Sequence, residues 1–210
     1  MQKSTFRCDI ITKKRFYMQE IVNILVKSFL TNPFVIAILV LGLISLLFYR
    51  RIVGFFGESH TKSVLRKLPK EYIVLNNVNI TANGYHNQID HVVVSKYGIF
   101  CIETKQYNGY ITGSKWDKNW VRHYGNKKSY CINPIRQNYG HVKGLCTILG
   151  LTENEVFNIV CIPSNARLNI QDDGEVTRYD TLNGKILSYK EVLIDDVDSI
   201  VKVIINSATN

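Results

Sequence analysis

Hydrophobic and polar positions change their period several times along the chain, and each change marks an element. Residues 34–49, FVIAILVLGLISLLFY, carry no charge and only Gly42 and Ser45 as small interruptions. At ~1.5 Å per residue this run reaches roughly 24 Å as a helix, slightly short of a ~30 Å hydrocarbon core, and Phe29 and Leu30 lengthen it. Asn32 is placed to cap its start, with Pro33 at the first helical position. Arg50 and Arg51 close the far end, and Phe48 and Tyr49 suit an interface. The pattern predicts a transmembrane helix over 34–50, a buried core helix being the competing reading. Residues 1–33 form a basic leader, within which RFYMQEIVNILVKSFL has the spacing of an amphipathic interfacial helix. The length of this leader, and the lack of a small-x-small site after Tyr49, argue against a cleaved signal peptide.

Beyond the apolar run, GESHTKSVLRKLP predicts a helix with Val64, Leu65 and Leu68 as its stripe and Pro69 as its stop. EYIVLNNVNI, QIDHVVVS and GIFCIETKQ read as strands separated by the turns at Asn83-Gly84 and Tyr97-Gly98. Residues 109–132 predict a further hairpin, with Trp116 and Trp120 near its turn. Asn133-Pro134 opens a helix that runs to about Leu149 and ends at Gly150. VFNIVCIP is apolar throughout, as in a strand buried inside a mixed sheet. EVTRYD and KILSYK are expected to be weak strands or loops. Glu191–Asn206 reads as an amphipathic helix burying Val192, Val197, Ile200, Val201 and Ile204. The order is that of an α/β domain, expected over 55–206.

Charge refines this division. The net charge of +9 falls mostly on residues 1–51, where eight basic residues face two acidic ones. Such a leader suits anionic lipid better than nucleic acid. From Lys105 to Lys143 there are eight basic residues and one acid, Asp117, whereas the stretch from Thr152 onward is acidic. The domain can therefore present one positive face to phosphates, or simply a solvated surface. Cys101, Cys146 and Cys161 sit in apolar contexts, and no CxxC pair occurs, which favours reduced core thiols in a cytosolic domain without structural zinc.

The candidate chemistry lies in QIDHVVVSKYGIFCIETKQYNG, residues 88–109. Strand side chains alternate, so Glu103 and Lys105 share a face, and a hairpin through Lys96-Tyr97 brings Asp90 beside Glu103. Two carboxylates and an ammonium gathered beside apolar strands are costly unless compensated. A divalent metal compensates, and carboxylate oxygens suit Mg2+ or Mn2+. The lysine would then orient or polarise a water for attack on a phosphodiester. A loose Asp…Glu-x-Lys pattern also arises as a strand-end ion pair, but the apolar neighbours Ile89, Val92, Cys101 and Ile102 favour a functional reading. His91 should point to the opposite face and pack. Tyr107, Tyr110, Trp116, Trp120, Tyr124, Tyr130 and Tyr139 interleave with basic residues, which suits base stacking and phosphate contact, or else cross-strand packing.

Gly57-Glu58, LPKEYIVLNNV, QIDHVVVSKYGIFCIETK, Asn108-Gly109 and NPIRQNYGH, in that order, resemble the nuclease-related domain family. That family is similar in turn to the PD-(D/E)xK restriction-endonuclease-like superfamily. The resemblance covers about Gly57 to Leu149. It implies an α/β fold with a restriction-endonuclease-like mixed sheet flanked by helices, and divalent-metal-dependent cleavage of nucleic acid, DNA ahead of RNA. It further implies Asp90 and Glu103 as the metal-binding acids, Lys105 as the superfamily's lysine, Glu58 as the helical acid and Gln137 as the helical glutamine. His141 stands where related nucleases carry an aromatic hydroxyl residue, and both a substrate contact and a half-exposed helical histidine fit it. Glu58 also fits an ordinary first-turn surface acid. With the apolar helix, the expectation is a single-pass cell-membrane protein whose C-terminal domain is cytoplasmic. A catalytically silent, membrane-tethered module that binds nucleic acid or protein is the rival, and a membrane-surface scaffold the third reading.

Overall fold

A computed structural model describes residues 17–24, 26–29, 31–82 and 84–208. It separates into two units, Met1–Ile52 and Val53–Asn210. The start of the basic leader, residues 1–16, lies outside the described residues. In the first unit, α1 (Tyr17–Phe29) precedes α2 (Pro33–Leu65), whose start is capped as expected: the Phe34 amide donates to Asn32 Oδ1 at 2.9 Å. Phe34, Ile38, Leu41 and Leu46 are exposed along it.

The expected membrane-spanning helix over 34–50 is helical, but its spanning of a membrane finds no support in a single helix. Among the described residues no single helix is long and apolar enough to cross a membrane. Tyr17–Phe29 and Pro33–Leu46 reach that measure only together, bent by 62°. Pro33 lacks an amide proton and Asn32 caps a new start, so the apolar run is divided there. Nor does α2 stop at Arg50-Arg51. It continues to Leu65 and absorbs the separate helix expected at Gly57.

In the second unit, β1 (Ile73–Ala82), β2 (Tyr85–Ser95) and β3 (Gly98–Thr104) form an antiparallel meander. β3 then pairs in parallel with β7 (Val156–Ile162), and β7 with β9 (Val176–Arg178), giving a mixed sheet in the order β1-β2-β3-β7-β9. Every residue of β3 is buried, which is why GIFCIET reads as nearly continuous apolar sequence.

Both faces of this sheet are covered. Val92, Val94, Ile99 and Cys101 meet Val142 and Leu145 of α3 (Pro134–Leu149) and Ile204 of α5 (Val197–Ala208). On the other face, Val93, Phe100 and Ile102 meet Leu65 of α2 and Leu182 and Ile186 of α4 (Leu182–Ser188). A helix on each face of a mixed sheet is the α/β architecture expected. α3 approaches β1 so closely that a Cβ on Gly144 would lie 2.9 Å from Ile80 Cδ1. Its cap is as predicted, with Asn133 accepting from the Ile135 amide and Gly150 left-handed at φ 66°.

Residues 109–132 are more than a hairpin. β4 (Tyr110–Ser114), β5 (Asn119–Tyr124) and β6 (Lys127–Ile132) join β8 (Arg167–Gln171) in a second sheet ordered β6-β5-β4-β8. Ile111 and Trp120 on its inner face pack with Ile135, Val160 and Ile162. KILSYK, expected as strand or loop, contributes instead to α4, because Leu182 and Ile186 are four apart and bury on one side.

Candidate active site

β2 and β3 pair with His91 opposite Ile102, which carries Asp90 opposite Glu103 as one more step of the register. The ladder does not extend through that step. The Thr104 amide donates instead to Asp90 Oδ2 at 2.7 Å, so the Asp90 carboxylate caps the end of β3. On the other side, Asn77 stands opposite Asp90 and adopts φ 53°, a left-handed conformation that asparagine tolerates. The sheet is thus interrupted on both sides of Asp90.

Glu103 is only 3% exposed, and its oxygens are held from three directions. Lys105 Nζ lies 2.6 Å from Oε1, and Gln137 Nε2 donates to Oε1 at 2.7 Å. His141 Nε2 lies 3.5 Å from Oε2, an ion-pair separation rather than a hydrogen bond, and neither ring nitrogen of this buried histidine has a hydrogen-bond partner among the described residues. Gln137 and His141 are one helical turn apart on α3, so both reach the same carboxylate. His141 is buried, which removes the reading of a half-exposed helical histidine.

Glu58 belongs to the same corner. Thr104 Oγ1 donates to Thr61 Oγ1 at 3.1 Å, and Thr61 donates to Gly57 O at 3.2 Å, tying α2 to the end of β3. Gly57 leaves room for this approach, since a Cβ there would lie 2.9 Å from Gln106 Oε1, which accepts from Tyr179 OH. Burial, then the charge of Glu103, pushes Glu58 above the ordinary glutamate value.

The electrostatics of the acids diverge. Burial, then Glu103, pushes Asp90 up to about 7, against the pull of the Thr104 amide. Burial also acts to raise Glu103, but His141 and Lys105 together outweigh it and hold Glu103 below the ordinary value. Two neighbouring carboxyls driven apart in this way have the electrostatics that suit acid–base work or a bound cation. His91, as expected, faces away. It packs toward α2 with Nδ1 2.8 Å from Asn76 Oδ1, and burial pushes it down to about 4, so it is neutral at physiological pH.

The donor set suits a hard divalent cation, which binds through one or two carboxylates and completes its shell with water. Asp90 and Glu103 offer that pair. Among the described residues no group of three or more His, Cys, Asp or Glu is arranged as a metal cluster.

Two supporting asparagines were not legible in advance. Asn138 is fully buried, accepts from Cys101 Sγ at 3.2 Å, and donates toward Cys101 O and Ile159 O at 2.8 and 3.1 Å. It locks α3 onto β3 and β7 one residue from Gln137. Asn133 Nδ2 lies 2.7–3.1 Å from the carbonyls of Ser114, Lys115 and Asp117, fastening the β4–β5 turn to the start of α3. Its role as a cap is readable from Asn-Pro; these partners, supplied by a distant turn, are not.

Residues 53–163 match the family model described as nuclease-related domain. An uncharacterised protein of Bacillus anthracis is 36% identical over 163 residues, covering 73% of this chain and 76% of that protein. Among solved structures, Can2 from Sulfobacillus thermosulfidooxidans, in complex with cyclic tetra-adenylate, is similar at 16% identity and a TM-score of 0.38. That likeness covers 65% of this chain, which spans about a third (35%) of the Can2 chain. The family match contains Glu58, Asp90, Glu103, Lys105 and Gln137, and with the relative covering most of both chains it assigns this protein to the nuclease-related domain family.

Proposed function

We propose that the chain is a nuclease that hydrolyses phosphodiester bonds of nucleic acid with Mg2+ or Mn2+ held by Asp90 and Glu103. The observation that carries this reading is the gathering of half-buried Asp90, buried Glu103, Lys105 and Gln137, from three elements, at one corner of the sheet. A pure packing contact has no use for a buried and a half-buried acid, side by side, that raise one another's cost of ionisation. When bound, the cation supplies charge stabilisation at the scissile phosphate. Gln137 and His141 hold Glu103 in one orientation, and Thr104 does the same for Asp90. Lys105, whose side chain is 23% exposed, is the cation of the site that reaches solvent, placed to orient the attacking water or meet the developing phosphate charge.

One observation favours the catalytically silent alternative: both Glu103 oxygens already have protein neighbours. Titrating the protein with manganese by calorimetry, and assaying single-stranded DNA, duplex DNA and RNA, separates the two. Metal binding with cleavage of one substrate supports the nuclease reading. Metal binding without cleavage of any substrate supports the silent module, and absence of metal binding overturns the site.

We also propose that α1 and the apolar part of α2 attach the chain to the cell membrane, with the domain on the cytoplasmic side. What supports this is the row of exposed apolar side chains, Phe34, Ile38, Leu39, Leu41, Leu43 and Leu46, which water solvates poorly.

A further inference from the structure

Among the described residues, one face of the second sheet is lined by exposed and half-buried side chains. Strand alternation puts Ile111 and Trp120 on its inner, packed face and leaves Tyr110, His123, Lys128, Tyr130, Arg167 and Asn169 on the outer one. The registers Tyr110↔His123, His123↔Lys128 and Tyr110↔Arg167 place four of these in one row across all four strands. Tyr130 is 71% exposed and Tyr110 41% exposed. Lys128, Arg167 and Asn169 are exposed, while the His123 ring tilts against Tyr110 with centroids 5.1 Å apart.

No Asp or Glu occurs in any of the four strands. A merely solvated sheet face ordinarily mixes both signs and buries or omits its large rings. This face instead offers aromatic rings beside Lys128 and Arg167, for which no ion pair occurs among the described residues. Rings present a stacking surface that every base can use, and Lys and Arg meet the backbone phosphates. The bases of a duplex are stacked on one another and unavailable to such rings, whereas those of a single strand are free.

From these observations we infer that the outer face of the β6-β5-β4-β8 sheet binds single-stranded nucleic acid, with bases on Tyr110 and Tyr130 and phosphates on Lys128 and Arg167. The inference deepens the nuclease reading and rests on it for its purpose. Four residues separate Lys105 from Tyr110, five steps of ~3.4 Å, so the start of β4 lies within ~17 Å of the lysine at the site.

The test is fluorescence anisotropy of labelled single-stranded DNA and RNA with the full chain in low salt, without divalent metal, against unlabelled duplex as competitor. Either single strand should bind and resist duplex competition. Tyr130→Ala should weaken binding about tenfold, and Tyr130→Phe, which keeps the ring, should restore it. Lys128→Ala should lower the slope of log affinity against log salt by about one contact. Tyr130 and Lys128 are exposed, so both variants should keep the parent's thermal midpoint. Ser188→Ala, an exposed position outside the second sheet, should bind the strand as the parent does. Failure to bind any single strand, preference for duplex, or unchanged affinity in Tyr130→Ala and Lys128→Ala together would overturn the platform. Binding that depends on Tyr130, in a chain that cleaves nothing with metal, would uphold the platform while the nuclease reading fell.

Discussion

Gln137, on α3, donates Nε2 to Glu103 Oε1 at the end of β3 across 2.7 Å. This bond joins a helix to the strand it covers, and sets the orientation of the carboxylate that also meets Lys105 and His141. Gln137→Ala should therefore lower manganese affinity several-fold and any cleavage rate by about tenfold, a positioning loss smaller than removal of an acid. Gln137→Glu should be more damaging, because it sets a third negative charge against Glu103. Calorimetry and initial rates on the same preparations check both expectations.

Asp90→Asn and Glu103→Gln should each abolish most manganese binding, since carboxylate charge rather than shape holds a hard cation. Lys105→Ala should keep most of that binding while lowering cleavage by roughly a hundredfold or more. A Lys105→Ala variant that lost metal and activity in step would place the lysine in the architecture of Glu103 rather than in the chemistry.

Asp90 has an ordinary value of 3.8 and is pushed up to about 7, mainly by burial. Between those values the folded chain holds a proton that the unfolded chain has released. The stabilising contribution is complete below the lower value and is lost as pH rises through the upper one. The metal-free protein should accordingly lose stability from about pH 4 to about pH 7 relative to Asp90→Asn, whose side chain does not titrate. Manganese added above pH 7 should restore it. Thermal midpoints of parent and variant across that range, with and without manganese, measure the difference.

Asn138 joins α3 to Cys101 and Ile159 from a fully buried position. Asn138→Ala should cost about 2–3 kcal/mol, because it leaves buried carbonyls unpaired. In a domain of this size that corresponds to a fall of roughly 5–10 °C in thermal midpoint. Asn138→Asp, which keeps the shape but loses the donors, should not rescue it.

Deleting residues 34–49 should release the protein from carbonate-washed membranes. Retention in the membrane fraction after that deletion would remove the apolar run from any anchoring role.

Much of the site was legible because its logic is local. Alternation along GIFCIETK puts Glu103 and Lys105 on one side, a hairpin through Lys96-Tyr97 brings Asp90 opposite, and a one-turn spacing lets Gln137 and His141 reach a common target. Caps were equally readable at Asn32, Asn133 and Gly150, since each depends on a residue's own backbone and hydrogen-bonding preferences. What the tertiary structure alone decided depends on partners far along the chain. β8 pairs in parallel with β4 across α3 and β7, so the presumed hairpin of 109–132 became part of a second sheet with an exposed face. α4 is helical because Leu182 and Ile186 find Phe100 and Ile102 beneath them. His141 faces Glu103 because Asn138 and Leu145 dock α3 in one rotation on the sheet. Local periodicity determines which face a residue takes; which distant surface that face meets is settled only when the whole core closes around it.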